Sequence, residues 1–232
     1  MTQPIAVLYA YADGPYAGLP GVDVWDVTRD ARGYRGPHPV VAHPPCERYG
    51  RYWSGGPSAS YQRTMADDDG CFAHALASVR AFGGVLEHPA DSHAWRIFGL
   101  YRPTGGAWIR ADERDGWSCR VDQGHYGHRA RKATWLYSVG CELPSLRWHR
   151  MTGGVRLDAG CSSAADRAAK RAAGTLHMTR IGGREKSDTP EVFRDLLVSM
   201  ARTSRGGSGD FDAEHAETHR MWRRWLARRR AA

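Results

Sequence analysis

Two short apolar runs, each stopped by proline, constrain this chain more than any other feature of it. "PVVAHPPC" (39–46) and "GGVLEHP" (83–89) each read as a buried strand that ends in polar residues and a proline, because proline cannot donate to a sheet ladder. Between them, "ASYQRTMADDDGCFAHALASVRAFG" (59–83) takes helical spacing in its latter part, with Phe72, Leu76, Val79 and Phe82 near one face. Strand, helix and strand in that order predict a parallel α/β sheet with right-handed crossovers. Ligands gather at the carboxyl ends of the strands in such sheets, so "HPPC" and "EHP" fall at one site.

The flanking sequence extends the pattern. "PIAVLYAYA" (4–12) and "VDVWDV" (22–27) read as two further strands, joined by the turn-rich "DGPYAGLPG". "SCRVDQGHYGHRARKATWLYSVG" (118–140) reads as two strands around a basic loop rich in Gly and His. A Gly/Ser/Ala-rich section over roughly 152–186 has no core pattern. "SDTPEVFRDLLVSMA" (187–201) predicts a helix capped by Ser187 or Thr189, with Pro190 in its first turn and Glu191 at its positive end. "RTSRGGSGD" (202–210) reads as a flexible linker to a basic tail helix. The expected organisation is one α/β domain over 1–201, with an irregular insert at about 141–186, followed by linker and tail over 202–232.

Composition narrows the class. The 232 residues suffice for one sizeable core, and 41% hydrophobic content with nine Trp and ten Tyr fits a globular protein. No apolar run approaches the ~20 residues that span a bilayer, and the N-terminus lacks a secretory signal, so an intracellular, cytoplasmic protein with no membrane partner is expected. The five cysteines are widely spaced with no C-x-x-C pair, which points to reduced thiols. The net charge of +8 is uneven, and "HRMWRRWLARRRAA" alone holds six arginines. That balance suits a polyanion, nucleic acid ahead of an anionic membrane, although a solvated basic helix gives the same pattern. Trp222 and Trp225 either pack on the body or stack on bases.

Cys46 follows two prolines at the end of the third strand. A thiol fixed there by a rigid turn has the defined position and direction that a nucleophile needs, and Arg48 and Arg51 stand close in sequence to lower its pKa. The plainer reading is a buried core cysteine.

"AHPPC", "VLEHP", "DQGHYGHRARKATWLYS" and "GREKSDTPEVFRDLLVSMA" together resemble, in order and spacing, the DNA cytosine-5 methyltransferases, above all their small phage-type members. The resemblance covers roughly residues 38–201 and implies a Rossmann-like, mostly parallel sheet flanked by helices, with a reduced N-terminal cofactor region and a basic C-terminal helix. It implies that Cys46, presented beside Pro45, adds to C6 of a flipped-out pyrimidine in DNA, and that Glu87 holds the N3 and amino edge of the base. Gln123, His125, Arg129 and Arg131 fall near the family's base- and phosphate-orienting strand, with Lys132 and Thr134 supporting it. His88 stands where the family has Asn, beside the base edge. The implied cofactor is S-adenosyl-L-methionine, with Tyr11, Gly14 and Asp26 as candidate contacts, and the implied setting is the cytoplasm of a bacterial host cell. The short segment before the late helix leaves sequence specificity weak or supplied by another protein.

Only "YADGPYAGLPG" separates the first two strands, too short for the family's turn plus helix. Three readings therefore stand: an S-adenosyl-L-methionine-dependent C5 methyltransferase, an enzyme using the same C6 addition for another C5 chemistry on a modified pyrimidine, and a non-catalytic DNA-binding scaffold. A metal is the rival use of the histidines, since His43-x-x-Cys46 and His125-x-x-His128 have ligand-like spacing. Position 49 is Tyr49, however, where a zinc deaminase signature needs a second cysteine.

Overall fold

The structure is a computed structural model, which describes residues 2–54, 63–152, 155, 157, 161, 164–175, 181 and 183–231. Seven strands, β1 (Ile5–Leu8), β2 (Val22–Trp25), β3 (Val40–Ala42), β4 (Gly84–Pro89), β5 (Ile109–Arg110), β6 (Trp117–Asp122) and β7 (Ala133–Val139), form one sheet. Their order is β2-β1-β3-β4-β7-β6-β5. β1 pairs in parallel with β2 and β3, and β3 with β4. β4–β7, β7–β6 and β6–β5 are antiparallel. The sheet is thus mixed, and the mostly parallel sheet expected from sequence is confined to its N-terminal half. The "SCRVD" and "ATWLYSV" runs are joined by a short basic loop, which returns β7 antiparallel, whereas a parallel neighbour needs a long crossover.

Burial explains why the parallel strands read as continuous apolar runs. All residues of β1 and β3 are buried, because helices cover both sheet faces. Successive side chains alternate between those faces. Ala6, Leu8, Val40, Ala42 and Leu86 pack toward α1 (Cys71–Phe82), with Phe72, Leu76 and Val79 against them. Ile5, Val7, Val41 and Val85 pack toward α4 (Glu191–Arg202), with Phe193, Leu197 and Met200. Each fully buried Leu, Val or Phe contributes about 1.5–3 kcal/mol, so these two layers carry the fold. On β4 the alternation sends Glu87 to the α4 face and His88 to the α1 face. Neither Ser187 nor Thr189 caps α4. Pro190 occupies the N-cap and makes no side-chain cap bond, because its ring carries no polar atom.

A short helix, α2 (His93–Ile97), follows β4, and α3 (Ala164–Ala172) in the Ala-rich section buries none of its residues. Much of the irregular section, like the start of the 59–83 run, lies outside the described residues.

The 202–210 segment is not a free linker. Arg205 N–H donates to Gly140 O (3.0 Å), Ser208 N–H to Arg80 O (2.8 Å) and Gly209 N–H to Ala81 O (2.9 Å). The glycines that suggested flexibility serve close approach instead, and a Cβ on Gly207 would sit 1.9 Å from Arg80 O. The tail helix α5 (Phe211–Arg230) then lies along α1. Phe211 stacks on Phe82 at 5.6 Å, and Trp222 Nε1 donates to Ala66 O at 2.6 Å, so Trp222 packs on the body. Arg114 Nη1 donates to both oxygens of the buried Glu214 carboxylate (2.9 Å each), and its Nη2 meets Glu217. Among the described residues, no helix is long and apolar enough to cross a membrane.

Candidate active site

The end of β3 is shaped by its prolines. His43 N–H still donates to Leu8 O (3.0 Å), but Pro44 and Pro45 offer no donor, and the chain leaves the sheet. Cys46 O then accepts from Tyr49 and Gly50 N–H (3.1 and 3.0 Å), closing a turn. Buried Tyr49 anchors this turn, its hydroxyl donating to Asp68 (3.0 Å) and its carbonyl accepting from His93 N–H (2.9 Å). Pro45 and Cys46 are left exposed above a fixed base.

Glu87, at the end of the neighbouring strand, is the centre of a polar network. His43 Nδ1 lies 3.1 Å from its Oε2, and Tyr16 Oη lies 2.8 Å from His43 Nε2. Gln123 Nε2 donates to Glu87 Oε1 and to Thr134 Oγ1, both at 2.9 Å, and Thr134 Oγ1 is 3.2 Å from Glu87 Oε1. An ionised carboxylate only accepts, so His43 carries its proton on Nδ1, and in the neutral ring Tyr16 donates to Nε2. Burial alone would raise the Glu87 pKa. The His43 hydrogen bond and the Lys132 charge outweigh it and hold the carboxyl down at about 2. Gln123 Oε1 is buried without a hydrogen-bond partner among the described residues.

Lys132 sits just before β7 in the left-handed region, φ +39°. Its buried ammonium donates to Asp188 O (2.7 Å) and Ser187 O (3.3 Å), and among the described residues no carboxylate pairs with it. Burial lowers its pKa, against the negative charge of Glu87 and, when ionised, of Cys46. Cys46 feels the same two neighbours. The protein packed around the thiol and the Glu87 carboxylate push its pKa up, and Lys132 offsets only part of that, so the thiol pKa is raised overall. The three groups share one electrostatic neighbourhood at the strand ends.

The other expected site residues divide. His88 is fully buried on the opposite face of β4, among Phe72 (5.1 Å), Tyr49 (5.8 Å) and Trp95 (6.4 Å). Its desolvated ring is held neutral, pKa about 4, with the Glu87 charge and the Pro45 carbonyl acting the other way. The expectation that His88 meets a base edge is therefore corrected. It supports the Cys46 turn from below. His125 bonds His149 O (2.9 Å), and Arg129 forks onto Glu185 (2.7 and 2.8 Å). Arg131 is half-exposed, 3.9 Å from Asp122. Of the third sequence element Gln123 and Thr134 bond the carboxylate, and Lys132 acts on it through its charge.

Tyr11, Gly14 and Asp26 do not converge. Gly14 lines an open cleft of about 520 Å³ with Asp13, His128, Asp188 and Thr189, but neither Tyr11 nor Asp26 does. Tyr11 is exposed under the Arg184 guanidinium (4.8 Å), and Asp26 accepts from Arg29 N–H (2.9 Å). β1 and β2 are joined by turns alone. The residues proposed for S-adenosyl-L-methionine do not form one cradle.

The sequence reading missed Tyr16 as a site residue and considered His43 only as a metal ligand. His43 carried a signal, as the last residue before the prolines. Tyr16 carried none, because the loop that delivers it has no periodicity. His43 and His128 have both ring nitrogens engaged, and among the described residues no group of three or more His, Cys, Asp or Glu is placed to hold a metal ion. No family model matches this chain, nor does any curated protein or solved structure.

Proposed function

We propose that the protein modifies the 5-position of a pyrimidine in DNA, with Cys46 as the nucleophile. One observation carries the reading: an exposed thiol on a clamped turn and an ionised, buried carboxylate stand at the ends of adjacent parallel strands, coupled through one lysine. The Cys46 sulfur forms a bond to C6, and the C5=C6 electron pair shifts to C5. An electrophilic carbon bonds at C5 as the bond it replaces breaks, the C5 proton leaves to water, and the S–C6 pair returns to the sulfur as the C5–H pair restores the double bond. Glu87, ionised and acceptor-only, takes an N–H from the Watson–Crick edge, and Lys132 offsets part of the upward shift that burial and Glu87 impose on the thiol. The target leaves the base stack to reach the thiol.

The parallel half of the sheet, with α1 and α4 on opposite faces, supports a Rossmann-like relationship as part of the same proposal. The electrophile is open. The scattered Tyr11, Gly14 and Asp26 favour a C5 chemistry independent of S-adenosyl-L-methionine, and no step above passes through it.

Two measurements test this. DNA carrying tritium at cytosine C5 releases it to water when a thiol adds reversibly at C6, whatever the electrophile. DNA carrying 5-fluorocytosine, incubated with and without S-adenosyl-L-methionine, gives a denaturant-resistant adduct when the electrophile is present. Wild-type protein is expected to release tritium and Cys46→Ser to release none while binding DNA equally. Equal release by the two proteins removes Cys46 from the chemistry. No tritium release from cytosine or uracil substrates, together with no formaldehyde release from a 5-hydroxymethylated one, removes the reading itself.

A further inference from the structure

The strand-end rim beside Cys46 carries a run of arginines, of which Arg96 and Arg229 are held by an indole with no carboxylate partner among the described residues. At the site end of the sheet, β4 stops at Pro89 opposite Thr134, and β6 stops at Asp122 opposite Ala133. α2 begins there, tied to the Cys46 turn through His93 N–H and Tyr49 O. From α2, Arg96 lies 5.0 Å from the Trp225 ring centre, and Arg229 of α5 lies 5.5 Å from the same ring. Arg102 lies 5.3 Å over Trp135 of β7. Arg120 of β6 stands opposite Trp135 in the ladder, in the field of Arg131 and Arg150. His93, partly buried, feels Arg96, Arg102 and Arg229 together. The packed tail helix therefore joins the strand-end rim in one band that runs from Arg229 to Arg131, beside Lys132 and Gln123.

Arg96 and Arg229 are held differently from the surface arginines that face an acid. Arg29, Arg110, Arg129 and Arg184 are each paired with a carboxylate at 3.0 Å or less. Arg96 and Arg229 have an indole where those have an acid, and among the described residues the rest of the band meets two carboxylates, Arg102 with Asp91 (3.1 Å) and Arg120 and Arg131 with Asp122 (3.0 and 3.9 Å). An indole face orients a guanidinium and leaves its charge and its N–H edges available. Like charges so placed repel one another, and a polyanion relieves that repulsion. A free nucleotide needs one phosphate contact beside the base, not a band extending from β6 to the far end of α5.

We propose that this rim binds the phosphodiester backbone of a polynucleotide whose target pyrimidine enters the cleft. The placement of the base rests on the proposed reading of Cys46 and Glu87, and the backbone contact does not. Binding of labelled DNA duplex, single-stranded DNA and matched RNA is followed by fluorescence anisotropy against salt, with deoxycytidine monophosphate as competitor. Arg96→Ala/Arg102→Ala/Arg229→Ala is compared with the control Arg29→Ala/Arg110→Ala, after thermal melts confirm that both fold. Each lost phosphate contact removes roughly 0.9 from the slope of log K against log salt, so the triple variant should flatten it by about 2.7 and the control by nothing. Cys46→Ser should bind as wild type does. Equal slopes for triple variant and control overturn the proposal, as does displacement of DNA by stoichiometric mononucleotide. Stronger binding of RNA than of DNA keeps the backbone contact and changes only the sugar. Rim-dependent binding with no tritium release leaves this surface standing and refutes the chemistry assigned to the cleft.

Discussion

Replacing Glu87 by Gln tests the electrostatic core of the site without touching the thiol. In the folded protein the carboxyl sits at about 2 against an ordinary value of 4.5. A depressed carboxylate contributes stability that is fully present above the unfolded pKa and is lost as pH falls through the folded one. At 1.36 kcal/mol per unit, the full effect is about 3 kcal/mol near neutrality, and about 2 kcal/mol of it is gone by about pH 3. Gln is isosteric and neutral, so its own stability lacks this dependence. It still accepts from Gln123 and Thr134, and its amide can donate to His43 Nδ1 after a tautomer change, which keeps the variant folded. The assay is urea unfolding followed by tryptophan fluorescence, for both proteins, at steps from neutral to acid pH. Wild type should be the more stable protein at neutrality, and its advantage should shrink by about 2 kcal/mol between about pH 7 and pH 3. An advantage that stays constant with pH would refute the claim that His43 and Lys132 hold Glu87 ionised. An advantage that grows toward acid would mean that burial wins and that Glu87 is neutral in the folded state.

Lys132→Met removes the cation that, among the described residues, lowers the Cys46 pKa, so the pH midpoint of Cys46 alkylation by iodoacetamide, read by mass spectrometry, should move upward and Lys132→Arg should restore it. An unmoved midpoint in a folded Lys132→Met protein would reduce Lys132 to a tether for the Ser187 and Asp188 carbonyls. Gly207→Ala drives a Cβ against Arg80 O and should cost about 1–3 kcal/mol by overpacking, read as a lower melting temperature. Unchanged stability would restore the view of 202–210 as a free linker.

Local signals were legible in the sequence where a residue's role was set by its immediate neighbours. The prolines after β3 and β4 marked two strand ends and right-handed crossover logic brought them together, while the choice of Glu87 within the second came from the family resemblance. Gln123, Lys132 and Thr134 were legible as one element, because β6 and β7 are joined by a loop too short to separate them. His88 was misread, since its neighbour Glu87 faces the site and period-two alternation necessarily turns His88 away, into Phe72 and Trp95. The tail was misread for a different reason. Composition made 202–210 look flexible, but glycine also permits close backbone approach, and only the contact of Gly207 with Arg80 O distinguishes the two uses. Once α5 is fixed along α1, its arginines no longer form an isolated basic tail. Trp225, whose partner the sequence left undecided, holds Arg229 beside Arg96, and the charge that composition could only count becomes a surface with a direction, leading toward the thiol.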